Sequence, residues 1–189
     1  MTMISRLHNF DGSMTQSTGV YYIEYVDPSV AQVSLPVIIT AQPMNISAAT
    51  QAVEQYNLKA KEGYHAEVFS LSLISPVDTV PALQHYRLVH ESQRNVLDPA
   101  SGDLKYVKIF EYVKGAHIKG DGIIEVPVVT NTGRNFTYRQ ASVNGEFIVP
   151  YSTTGNTYDV KTTGKYTIEG TNLQYDVPES AVMQGLTIG

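Results

Sequence analysis

His85, His90 and Glu91 are the residues of this chain best placed by type to bind a metal or move a proton. They lie in a stretch dense in aromatic and β-branched residues, Leu83-Gln84-His85-Tyr86-Arg87-Leu88-Val89-His90-Glu91-Ser92. On a strand, His85 and His90 differ by an odd number and point to opposite faces; on a helix, their spacing rotates them about 140° apart. His85, Arg87, Val89 and Glu91 would share one strand face, which sets Arg87 and Glu91 up as an ion pair. The sequence has no His-Glu-x-x-His and no third ligand at a useful spacing, so the stretch reads as the polar face of a sheet. Nucleophile motifs are also missing. Gly-x-Ser-x-Gly is absent, no Gly-x-Gly-x-x-Gly opens a helix, and Gly120-Asp121-Gly122 reads as a hairpin loop. Asp98, Asp103, Glu111 and Asp121 read as surface carboxylates, so no catalytic, cofactor-binding or metal-ligating residue is assigned. Two Asn-x-Ser/Thr sequons remain, Asn45-Ile46-Ser47 and Asn135-Phe136-Thr137, with Asn45 and Asn135 as candidate glycosylation acceptors on an extracytoplasmic face.

The elements that position these residues read as an α+β chain. Residues 1–106 form a mixed α/β part, and residues 107–189 form a small antiparallel β-sandwich or barrel. Strands are expected at Val20–Val26, Leu35–Thr40 and Tyr64–Leu73, with Asp11-Gly12-Ser13 as a turn. A helix is expected over Ala48–Glu62. Asn45 or Ser47 would start it, Ala49, Val53, Tyr56 and Ala60 would share its buried face, and Gly63 would end it. Further strands are expected at Lys108–Val113, Ile123–Val129, Phe136–Val143, Glu146–Val149, Thr157–Lys161, Lys165–Glu169 and Leu173–Val177. Val143-Asn144-Gly145-Glu146 is a two-residue hairpin, because Asn-Gly tolerates the positive φ of a type I′ turn.

Composition limits the function. The 189 residues carry a net charge of −5, with Lys105, Lys108, Lys114 and Lys119 spread along what reads as a solvated strand face. That argues against a nucleic-acid partner, which needs clustered cations. The absence of Cys removes disulfides and thiol chemistry. Thirteen Tyr with no Trp lean towards strands that pack the ring and leave the hydroxyl wet. No run of residues reaches the roughly 20 apolar positions of a membrane span. Met1 to Arg6 has no signal-like apolar core, so the chain as given is expected to be soluble.

Several blocks resemble, in order, the C-terminal soluble region of archaeal oligosaccharyltransferases of the AglB type. They are residues 5–13, 85–92, 107–116 and Thr130-Asn131-Thr132-Gly133-Arg134-Asn135-Phe136-Thr137-Tyr138, followed by Val149-Pro150-Tyr151-Ser152-Thr153. The resemblance implies part of a membrane enzyme on the extracytoplasmic face of the cell. That enzyme transfers an oligosaccharide from a dolichyl-phosphate carrier to the Asn of Asn-x-Ser/Thr in acceptor proteins. It further implies that the transmembrane part of the same polypeptide is the partner of this chain, and that this membrane part binds the divalent metal, Mg or Mn. The family's Trp-Trp-Asp-Tyr-Gly motif is missing, since the chain has no Trp. The chain therefore reads as a supporting portion downstream of that motif, inactive on its own. The alternative from the residues alone is a non-enzymatic surface module whose β-rich half binds carbohydrate or protein.

Overall fold

A computed structural model describes residues 2–17, 19–31, 38–40, 42–70, 76–96 and 103–189. These residues pack as two compact units, Gln16–Thr79 and the pair Met1–Thr15 with Val80–Gly189.

In the Gln16–Thr79 unit, β1 (Tyr21–Val26) is the middle strand of a sheet, between β2 (Ile38–Ile39) and β3 (Tyr64–Phe69), both antiparallel to it. A single helical turn, α2 (Pro28–Ala31), follows β1, and α3 (Ile46–Asn57) packs on the sheet through its buried Ala49. Asn45 caps α3 as expected, its side-chain oxygen accepting from the Ser47 N–H at 2.9 Å. The helix stops at Asn57, five positions short of the expected end at Glu62. The Asn57 carboxamide donates to the Ala66 carbonyl at 3.0 Å and accepts its N–H at 2.7 Å, which fastens the helix end to β3. Gly63 has the expected positive φ, +82°, but in the turn into β3 instead of a helix cap. Residues 35–37 and 71–73 of the expected strands lie outside the described residues, as does Asp98.

The other unit begins with α1 (Met3–Phe10), a helix not among the expected elements. Thr2 caps its start and Asp11 ends it in the left-handed conformation at φ 54°. Beyond residue 80, β4 (Tyr86–Glu91) and β5 (Lys108–Tyr112) form an antiparallel ribbon. A second sheet places β6 (Ala116–Lys119) between β9 (Glu146–Val149) and β13 (Thr187–Ile188), the last of these parallel to it. The largest sheet is built around β7 (Ile123–Val129), paired with β8 (Asn135–Ala141), β10 (Lys161–Thr162) and β11 (Tyr166–Ile168), while β12 (Gln174–Tyr175) extends β11. A short helix, α4 (Glu179–Gln184), closes with Gly185 at φ 73°.

Alternation fixes the core. Ala116 and Ile118, Ile124, Val126 and Val128, Phe147 and Val149, and Ile168 turn inward and meet Val182 of α4 in one apolar cluster. The class is α+β as read, but among the described residues the sheets do not close into a barrel. Three tyrosines depart from the expectation of wet hydroxyls. Tyr138, Tyr151 and Tyr166 are fully buried. The Tyr166 hydroxyl donates to the Tyr151 carbonyl at 2.9 Å, and the Tyr151 hydroxyl accepts the Leu88 N–H at 2.8 Å. Burial pushes all three phenols above their ordinary pKa, so they stay neutral.

Candidate functional site

The β4–β5 ribbon carries the residues singled out for chemistry, and a bulge redistributes them. Leu88 pairs with Phe110 and His90 with Ile109, which leaves Val89 as the extra residue. The extra residue reverses the alternation. Arg87 and His90 face with Glu111 and Ile109, whereas Leu88 and Glu91 face with Phe110 and Lys108. Arg87 and Glu91 are therefore on opposite faces and do not form the expected ion pair. The two histidines are engaged separately. His85 precedes β4, with Nδ1 3.0 Å from the Lys114 carbonyl, while His90 is exposed.

Each half of the failed pair enters its own network. Glu91 has no solvent exposure and accepts from Arg134, from the Thr130 hydroxyl at 2.6 Å and from the Thr132 hydroxyl at 2.6 Å. Arg134, on the hairpin between β7 and β8, also holds Asp11 at the end of α1 at 2.8 Å. Asp11 in turn accepts from Lys108 at 2.7 Å. Two acids and two bases thus form a charge-neutral buried quartet joining α1, β4, β5 and the hairpin. The Asn131 carboxamide adds a clamp, accepting the Glu91 N–H at 2.8 Å and donating to its carbonyl at 2.9 Å. Burial pushes the Glu91 pKa up, but the bonds from Arg134, Thr130 and Thr132 outweigh it and hold the carboxyl below the usual glutamate value. For Lys108 burial wins over the pairing with Asp11, and its pKa is lowered.

Arg87, also buried, grips Glu111 at 2.7 Å and Glu179 at 2.6 Å. Glu179 stands in the first turn of α4, where the helix dipole favours an acid, and accepts from the Ser152 hydroxyl. The Arg87 bonds, followed by the Ser152 bond, hold its carboxyl below the usual range against burial. Glu111 also accepts from the Tyr158 hydroxyl at 3.2 Å. Arg134, Asp11 and Glu179 were not singled out in the sequence, and no local motif marks them, because their partners lie far away in the chain. The solvated lysine face is corrected in part. Lys105 is buried and pairs with Asp103 at 2.8 Å, Lys108 buries its side chain beside Asp11, and Lys119 is exposed and pairs with Glu146 at 2.8 Å. Glu111 is only half exposed, while Asp103 and Asp121 are surface residues as expected.

The two networks act as joints. They lock residues 113–189 onto α1 and the β4–β5 ribbon, and the Tyr151–Leu88 bond adds a third tie. Residues 113–188 match the archaeal glycosylation protein B long peripheral domain. That segment holds Arg134, Tyr151, Ser152 and Glu179, the far side of every tie just described. A relative that aligns beyond this segment is the dolichyl-monophosphooligosaccharide–protein glycotransferase AglB of Haloferax volcanii. It is 27% identical over an alignment that covers all of this chain. The chain spans 23% of that relative's length. AglB of Archaeoglobus fulgidus, solved with an inhibitory peptide and a dolichol-phosphate, is similar with a TM-score of 0.49 and 19% identity, over 90% of this chain and 26% of that one. The apo form of the Archaeoglobus fulgidus oligosaccharyltransferase gives a TM-score of 0.48 and 23% identity, over 99% and 22%. The resemblance to the C-terminal soluble region of AglB-type enzymes is borne out by the segment match and the collinear relative.

Beside this AglB-like framework, the described surface offers shallow recesses. One of about 450 Å³ lies between the end of α3 and β3, lined by Tyr56, Lys59 and Tyr64. Another, of about 430 Å³, lies on the outer face of the β7 sheet, lined by Glu125, Pro127, Thr137, Lys165, Thr167 and Gln174. Both sequon asparagines are exposed. The divalent metal implied by the resemblance does not fit the residues here. Arg134 and Arg87 already hold the four carboxylates of the two networks, and among the described residues no three His, Asp or Glu gather to bind a metal.

Proposed function

We propose that this chain is the extracytoplasmic soluble portion of a membrane oligosaccharyltransferase that moves a dolichyl-phosphate-linked glycan onto the Asn of Asn-x-Ser/Thr. The observation that carries this reading is the match of residues 113–188 to the glycosylation protein B peripheral domain, set in a chain that aligns throughout with the Haloferax glycotransferase. On this reading the 189 residues support the acceptor-facing half of the enzyme and transfer nothing alone. The ionic joints fit that role: they fix a β-rich module rigidly to a ribbon and a helix, instead of lining a reaction cavity. The partners are the transmembrane part of the same polypeptide and, for the whole enzyme, the acceptor protein and the lipid-linked oligosaccharide. Mg or Mn belongs to that membrane part.

Fractionation of the natural gene product tests this reading. An antibody to the chain should find its antigen in the membrane pellet, resistant to salt and alkaline washes, released by detergent, and open to protease on intact cells. Among the described residues no helix is long and apolar enough to cross a membrane, and on this reading the transmembrane part of the same polypeptide supplies the retention. An antigen that washes free, or that protease reaches only after lysis, contradicts the proposal.

A further inference from the structure

We propose that Asn135 is itself a glycan acceptor, modified by the oligosaccharide of a polyprenyl-phosphate-linked donor; this rests on the function proposed above. Asn135, Phe136 and Thr137 open β8 directly after the hairpin that Arg134 pins through its ion pairs. Asn135 and Thr137 are exposed on the outer face of the sheet, while Phe136 turns inward against Tyr151, with ring centroids 6.2 Å apart. Among the described residues the Asn135 side chain makes no hydrogen bond, so Nδ2 is free to carry a substituent. Asn45 differs: its side chain is spent on capping α3.

The surroundings leave room. A Cβ built on Gly133, two positions before Asn135, meets nothing within 4 Å. Odd-numbered residues of β8 turn their backbone groups away from β7, as Thr137 and Arg139 do towards Ser13 and Met14. By the same alternation Asn135 faces the open edge at the start of the strand. Thr137 also borders the outer recess, whose Glu125, Lys165, Thr167 and Gln174 side chains offer polar partners to sugar hydroxyls. In the step itself, Nδ2 of Asn135 bonds to C1 of the first sugar. The bond from C1 to the donor's phosphate oxygen breaks, its electron pair leaves with the lipid phosphate, and the amide gives one proton to solvent.

The test is peptide mass spectrometry on the natural full-length protein from its own cells. Trypsin cleaves after Arg134 and Arg139 and releases residues 135–139. The proposal expects this peptide to carry the glycan found on the cell's other Asn-x-Ser/Thr glycoproteins. Asn135→Gln should abolish the mass increment. Thr137→Ala should abolish it too, although it leaves Asn135 in place, and Thr137→Ser should keep it. An unmodified peptide in cells whose other glycoproteins are modified overturns the proposal alone. Glycoproteins that stay modified after the gene is deleted contradict the transferase reading, whatever the mass of this peptide.

Discussion

Arg134 and Arg87 each hold two carboxylates on the side of the β4–β5 ribbon that its bulge assigns to them. Removing Arg134 would leave Asp11 and Glu91 facing Lys108 alone, two largely buried acids for one cation. Arg134→Ala should therefore cost about 3–5 kcal/mol, read as a lower urea midpoint with little change in slope. The same networks set the acid limit. The Glu91 and Glu179 carboxyls titrate below the ordinary value of 4.5 in the folded protein. A carboxylate depressed by folding contributes stability that is complete above its unfolded pKa and is lost as pH falls through its folded pKa. Through these two carboxyls, thermal midpoints should thus fall on acidification below about pH 5. Glu91→Gln should lower the neutral midpoint and flatten the acid limb; an unchanged limb would remove Glu91 from the account.

At the scale of elements, the clearest sequence signals are local. Ile123–Val129, rich in β-branched residues, is β7, residue for residue, with Ile124, Val126 and Val128 buried. Asn45 starts α3. Asn144 and Gly145 have φ of +54° and +75° in a hairpin closed by the Val143 N–H to the Glu146 carbonyl at 2.8 Å. Gly145→Val forces a β-branched side chain into that left-handed turn and should cost about 1–2 kcal/mol in the same denaturation measurement, whereas Asn144→Gly should be nearly neutral. The helices α1 and α4 were missed for one physical reason. The eight residues of α1 and six of α4 are too short to be stable by propensity and depend on packing that a periodicity reading does not weigh. The punctuation was nevertheless present, with Thr2 before α1 and Pro178 and Gly185 around α4. The bulge at Val89 had no glycine to announce it, and without it Arg87 and Glu91 look like partners. Arg87 instead finds Glu179 at a separation of 92 residues, beyond any spacing rule.

At the scale of the whole molecule, the resemblance rested on long collinear blocks, and the segment match and the Haloferax relative agree with it. The framework is a β-rich module fastened by two buried ionic joints and by the Tyr151 hydroxyl. Tyr151→Phe should cost about 1–3 kcal/mol, because it leaves the buried Leu88 N–H without a partner. The central claim is that this framework supports glycan transfer without performing it. It is tested most directly by a transfer assay with a lipid-linked oligosaccharide and a peptide carrying Asn-x-Thr, run in parallel on the detergent-solubilised natural gene product and on the purified 189-residue chain. The account predicts glycopeptide from the first and none from the second; turnover by the chain alone would contradict it.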